Sequence, residues 1–194
     1  MNDFKPKEAS PVEPIHFHDH LTPEVRDEYV QLVINEYHKV FGDTLTPEQV
    51  LEPHLPSMVM VEIHKGKVVA GAKFSPLAGS FCERCVGGDF LAKVLKGADP
   101  ARVVEISKVV NVAEPVVAMR LVVRGRRWIL NHAHEGFASL GPRKNMQLMT
   151  WMTRQIYRGR FNPEVYPVTP VIPMQPGLRL SFIYARPTSM PRPA

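Results

Sequence analysis

The chain carries only two cysteines in 194 residues, too few for a disulfide framework to be the source of its stability. No run approaches the roughly 18 apolar residues that a membrane span requires. The opening Met1-Asn-Asp-Phe-Lys-Pro-Lys7 has no apolar h-region of the secretory kind. The expected setting is therefore soluble and cytoplasmic. Internal repeats, helix-turn-helix spacing and zinc-finger spacing are all missing, so nucleic-acid binding would rest on charge alone and would show steep salt dependence. No complete catalytic motif occurs either.

What is present suits one globular domain. A hydrophobic share of 44% with 22% charged residues is enough to build a core, and the length is short for two domains. Residues 1–14 and 186–194 are rich in proline and charge and read as an arm and a tail around a domain at 15–185. The net charge of +5 admits an anionic partner: a phosphate-bearing cofactor, an acidic carrier protein, nucleic acid or a membrane surface. Arginines concentrate between Arg120 and Arg160, which favours a localised site over a diffuse bias.

Along the chain, Ile15–His20 predicts a strand with His16, His18 and His20 on one face, either a zinc-binding set or an exposed strand face. Thr22-Pro23-Glu24 is a helix start, and Val25, Tyr29, Leu32, Val33 and Tyr37 repeat at helical spacing until Gly42. Thr46-Pro-Glu-Gln49 repeats the signal with a capping-box glutamine. Residues 57–64 and 67–75 predict a β-hairpin across Lys65-Gly66, with Gly71 marking a bulge or a close backbone approach.

Cys82-Glu-Arg-Cys85 needs two further ligands to hold zinc, from His132 and His134 or the N-terminal histidines; the alternative is two thiols in a loop, and no metal is expected. Residues 89–96 predict a short helix. Arg102–Val112 predicts a central strand buried on both faces, with Glu105 and Lys108 its charged exceptions, on opposite faces by alternation. Val116–Leu140 parses two ways. One is a single helix with Met119, Val123, Leu130, Ala133, Phe137 and Leu140 as its apolar stripe; the other is a strand to Val123 with a helix after Arg124-Gly125-Arg126. Residues 144–153 then predict a strand, 153–160 a short helix, and 164–172 with 178–185 a closing strand pair. The fold class implied is α/β or α+β, a mixed sheet flanked by helices.

This order of elements resembles the GNAT acyltransferase superfamily across roughly 22–185, and its acyl-homoserine-lactone synthase branch in particular. Tyr37-His-Lys-Val-Phe41 is similar to an R-x-x-V-F segment of those synthases, Lys73 stands where they carry arginine, and Glu105-Ile-Ser-Lys108 resembles their E-L-S-R motif. Tyr37 departs from the expected arginine, lysine twice replaces arginine with loss of its fork geometry, and the family's paired acids before the hairpin have no clear counterpart. The resemblance implies a GNAT-like, mostly antiparallel sheet and an N-acyltransferase moving an acyl group from acyl-CoA or acyl carrier protein to a small-molecule amine. The alternative is a non-catalytic protein of the same fold that has lost the cofactor loop and binds a protein partner.

The resemblance also directs attention to particular residues. A GNAT pyrophosphate loop, usually glycine-rich, has its nearest match in Arg124-Gly125-Arg126-Arg127, which would need guanidinium groups where backbone amides usually serve; a solvated basic face is the other reading. Val109, Val110 and Val112 would line the donor. Tyr157, in Arg154-Gln-Ile-Tyr157-Arg-Gly159-Arg-Phe161, would either protonate the leaving thiolate or pack. Glu105 is the candidate base or the partner of Lys73 in a structural salt bridge, and Lys73 and Lys108 are candidates to hold a substrate carboxylate or a carrier.

Overall fold

The structure is a computed structural model and describes residues 21–42, 45–172 and 179–188. The N-terminal arm and the histidine strand expected at 15–20 lie outside those residues.

The first helix, α1 (Pro23–Phe41), begins where Thr22 Oγ1 accepts from the Val25 N–H (3.4 Å) and Pro23 presets the first turn. It ends at Gly42, whose φ of 71° admits the left-handed cap that returns its N–H to the His38 carbonyl. Helix α2 (Pro47–Leu51) has the reciprocal Thr46/Gln49 capping box. Strands β1 (Met58–His64) and β2 (Lys67–Pro76) form the expected hairpin. Gly71 fulfils its expectation: a Cβ there would sit 2.6 Å from the Tyr29 ring, so α1 packs directly on β2 backbone.

Helices α3 (Phe81–Val86) and α4 (Gly88–Leu95) follow, then a 3-10 turn at Pro100–Arg102 and strand β3 (Val104–Asn111). The Cys82/Cys85 pair therefore lies on a helix, not in a loop, because Ser80 caps it by accepting from the Glu83 N–H (3.2 Å). Helix α5 (Pro115–His132), β4 (Phe137–Pro142), α6 (Arg143–Tyr157), β5 (Phe161–Val168) and β6 (Leu180–Pro187) follow among the described residues.

Two expectations need correction here. Neither parsing of 116–140 holds as a whole: one helix runs through Gly125 but stops at His132, and Phe137–Pro142 is a strand. Its inward residues are Leu121, Gly125 and Ile129, while Met119 and Val123 are each 54% exposed. Likewise, 144–153 is not a strand and 153–160 not a separate helix. Both stretches belong to α6, whose Met146, Met149, Thr153, Ile156 and Tyr157 recur every three or four residues against the sheet.

The six strands run in the order β1-β2-β3-β4-β6-β5, and every neighbouring pair is antiparallel except β3 with β4. One face packs against α5 and α6 through Phe74, Ile106, Leu121, Ile129, Phe137 and Tyr157. The other carries two separate apolar clusters. Tyr29, Val33, Val59 and Val110 pack under α1 and α2; Leu77, Cys82, Leu91, Val103 and Phe182 pack under α3 and α4. The interval between these two clusters is filled by charge.

Candidate functional site

Cross-strand register places the charges. Ser75 pairs with Glu105 and Lys73 with Ser107, so these four side chains leave the sheet on the α1–α4 face. Glu52, the left-handed C-cap of α2 (φ 49°), reaches the same interval. Its Oε2 lies 2.8 Å from Lys73 Nζ, and its Oε1 accepts from the Phe81 N–H (2.8 Å) and from Arg84 (3.1 Å). Lys73 is 0% exposed. Burial works to raise Glu52, but the Lys73 hydrogen bond and charge, with Lys108 and the Phe81 N–H, hold it below the ordinary carboxylate range.

Lys73 thus pairs with Glu52 and not, as the sequence suggested, with Glu105. Among the described residues the Glu105 carboxylate has only a long hydrogen bond from Ser75 (3.4 Å) and help from Ser80. Burial first, and the Glu52 charge second, push it up to about 7, with Lys108 and Lys73 opposing. A carboxyl group that titrates near neutrality is suited to accept a proton.

Lys108 also departs from expectation. Between the pairs Gly71–Val110 and Lys73–Ser107, β3 has one residue more than β2, and Lys108 adopts φ 51°, unusual for a residue with a Cβ. This bulge breaks strand alternation, so Lys108 lies on the same side as Glu105. Its carbonyl accepts from the Tyr29 hydroxyl (2.8 Å), and its Nζ sits over the rings of Phe81 (5.1 Å) and Tyr37 (5.8 Å). Burial pulls its ammonium below the ordinary lysine value, against Glu52 and Glu105. Beside it, Ser107 Oγ is buried and has no hydrogen-bond partner among the described residues.

Glu105 also marks a fork in the sheet. Strands β3 and β4 pair only at Val104–Phe137 and Glu105–Ala138; from there β3 runs on to Asn111 and β4 to Pro142 without pairing to each other. The two strands splay. Of the three valines expected to line a donor, Val110 is committed to the core under α1, whereas Val109 and Val112 are 50% and 51% exposed at the open end of β3. The expectation that β3 is buried on both faces is corrected there. Just beyond, α5 begins at Pro115 with no side-chain hydrogen bond capping its N-terminus.

Arg124-Gly125-Arg126-Arg127 is not the loop that the sequence suggested, since it lies in the middle of α5. Arg124 Nη1 is held by the Val61 carbonyl (2.9 Å) and Glu62 Oε1 (2.8 Å), Arg126 Nε by the Ile156 carbonyl (2.8 Å), Gly125 is buried, and Arg127 is exposed. Tyr157 packs between Phe137 and Phe161, with ring centroids 5.4 and 5.2 Å away, and burial pushes its hydroxyl well up. Cys82 and Cys85 are buried free thiols; burial, then the nearby Glu105, raises Cys82. His132 instead stacks on Trp128 (4.4 Å), within α5. Among the described residues no group of three His, Cys, Asp or Glu is placed to hold a metal.

The sequence reading missed Glu52, Ser75, Ser80, Phe81 and Tyr29. For Glu52 a signal existed: it is the acid between the first helices and the hairpin, directly after a capped helix, although only tertiary contact shows it turned inward.

No known family model matches the chain, and no curated protein does. Solved structures do. The acyl-homoserine-lactone synthase LasI superposes with a TM-score of 0.54 at 10% identity, over 86% of this chain and 85% of that one. The fold is that of the GNAT acyltransferases. Ribosomal-protein-alanine N-acetyltransferase from Brucella melitensis gives 0.54 at 14% identity, over 86% and 97%. BjaI, described as a CoA-dependent acyl-homoserine lactone synthase, gives 0.51 at 12%, over 90% and 84%. This GNAT-fold chain therefore shares its architecture with both kinds of acyltransferase.

Proposed function

We propose that the protein is an N-acyltransferase in which the β3/β4 splay receives an acyl thioester and the buried ionic cluster receives the amine. The observation that carries this reading is the position of Glu105: the last residue of β3 paired to β4, and also the one carboxyl group of the cluster pushed up to about 7. A donor laid between the diverging strands brings its carbonyl carbon beside that carboxylate. The similarity of fold to proteins named as acyltransferases supports the reading.

In the reaction the amine nitrogen attacks the thioester carbonyl. The C–N bond forms, the C–S bond breaks, Glu105 takes the proton lost by the amine, and the departing thiolate takes up a proton. Lys73 is occupied by Glu52, so its role is to hold that carboxylate in place. Lys108, over Phe81 and Tyr37, is the cation available to a substrate carboxylate. The donor, acyl-CoA or acyl carrier protein, presents its phosphates to the uncapped N-terminus of α5, where a helix dipole and free amides favour an anion. The exposed Arg120 and Arg127 on α5 add charge. Arg124 and Arg126 already have protein partners and are not needed for this. Tyr157, enclosed by aromatic rings, serves packing.

A second reading is favoured by one specific observation: no glycine opens the β3–α5 connection to bring backbone close to a pyrophosphate. On that reading the fold is kept for binding or assembly with a protein partner. Calorimetry with acetyl-CoA, a long-chain acyl-CoA, an acylated carrier protein and S-adenosylmethionine separates the two. Saturable binding of a donor, followed by amide formation on a presented amine, supports the enzyme. Failure of every donor to bind at millimolar concentration overturns it and leaves the assembly reading.

A further inference from the structure

A second recess lies on the β4–β6–β5 side of α6. It is a groove of about 600 Å³, formed by Arg143 and Gln147 of the first turns of α6, by Val165 and Pro167 to Pro170 at the end of β5 and after it, and by Arg179, Leu180 and Ser181 at the start of β6. Its lining contains two arginines and no carboxylate. Both guanidinium groups are exposed, and neither is in an ion pair among the described residues.

Helix α6 is 15 residues long and starts after Pro142, which has no N–H and provides no side-chain cap. The Arg143 N–H is used by the Arg179 carbonyl (3.3 Å), which ties the two arginine backbones together. The N–H groups of Lys144 and Asn145 have no intrahelical acceptor, as in any helical first turn. A helix N-terminus alone would signify little. Ser181 adds an independent observation: it is 3% exposed, wedged between Gly141 and Pro167 in the sheet, lines the groove, and its hydroxyl makes no hydrogen bond among the described residues. The hydroxyl opens into the groove, where a ligand oxygen would give it a partner.

We propose that this groove is a binding site for a phosphate monoester attached to an apolar body. Two guanidinium groups, first-turn amides and the Ser181 hydroxyl match the several acceptor oxygens and double charge of a phosphate better than a monocarboxylate. Val165, Val168, Pro167 and Pro170 supply an apolar wall beside it. The chemistry fits either a lipid headgroup or a soluble phosphorylated metabolite.

The test is a ¹H–¹⁵N titration of the full chain at constant ionic strength with inorganic phosphate, glycerol 3-phosphate, a micelle-free short-chain phosphatidic acid, and acetate. The expected result is saturable shifts of the Lys144, Asn145 and Ser181 amides with the phosphates. Affinity should fall at least tenfold in Arg143→Ala and Arg179→Ala, whose exposed side chains leave the melting temperature unchanged, and should be unaltered in Lys93→Ala on the exposed face of α4. Tighter binding of phosphatidic acid than of glycerol 3-phosphate assigns the lipid source, and equal binding assigns the soluble one. Absence of saturation, an equal response to acetate, or an equal loss in Lys93→Ala overturns the proposal.

Discussion

Glu105 combines two properties that pull in opposite directions. Its burial between Glu52 and the sheet makes ionisation costly in the folded chain, yet in the proposed role of base it must be ionised to act. With a folded value of about 7 against an ordinary 4.5, the native state holds a proton over that window that the unfolded chain has lost. The stability that Glu105 contributes is therefore full below the unfolded value and is lost as pH rises through about 7. Activity moves the other way: kcat/KM is expected to rise with a midpoint near pH 7 as Glu105 ionises, read from a pH–rate profile. Glu105→Gln should lower kcat by roughly 10²- to 10⁴-fold while removing the decline in stability between pH 4.5 and about 7; a variant that keeps both the rate and the decline contradicts the assignment. Lys73 offers a contrasting case. Lys73→Met strands the Glu52 carboxylate and should cost about 3–5 kcal/mol in urea unfolding, and adding Glu52→Gln should restore part of that loss.

Between elements, single contacts decide how the helices seat. Helix α1 rests on the sheet where Gly71 has no side chain and where Tyr29 bonds the Lys108 carbonyl. Gly71→Ala forces a Cβ into the Tyr29 ring and should cost about 1–3 kcal/mol, with a fall in melting temperature as the readout. On the other face, Arg124 joins α5 to β1 through Glu62 and the Val61 carbonyl. Arg124→Glu places like charges together there, so it should lower the melting temperature; binding without structure at that position would leave stability untouched. The helices α1 and α2 and the hairpin were legible in the sequence because caps, turn residues and periodicity are local. Helix α6 was not, because Met149-Thr-Trp-Met152 reads equally well as a strand until the sheet beneath selects Met146, Thr153 and Tyr157.

For the whole molecule, charge is distributed unevenly across the sheet. Helices α5 and α6, on one face, hold seven positive charges and no carboxylate, against a net +5 for the full chain, so the remainder is net negative by two. The basic excess thus flanks the splay, where an anionic donor would enter. Donor binding should raise the melting temperature by mass action, with about 2.7 kcal/mol gained at a hundredfold excess over Kd, and the gain should shrink with added salt as exposed charges are screened. A thermal shift insensitive to salt would place the donor away from this face.

By itself the sequence determined the helices that carry their own caps, the hairpin, the GNAT-like order of elements, and the two charges of β3, since each is written in neighbouring residues. Only the tertiary structure decided what those charges do. The bulge that turns Lys108 to the side of Glu105 is a mismatch in length between two strands, the pairing of Lys73 with Glu52 spans 21 residues, and the splay is the end of pairing between β3 and β4 after Glu105 and Ala138. Each of these depends on which distant segment lies alongside.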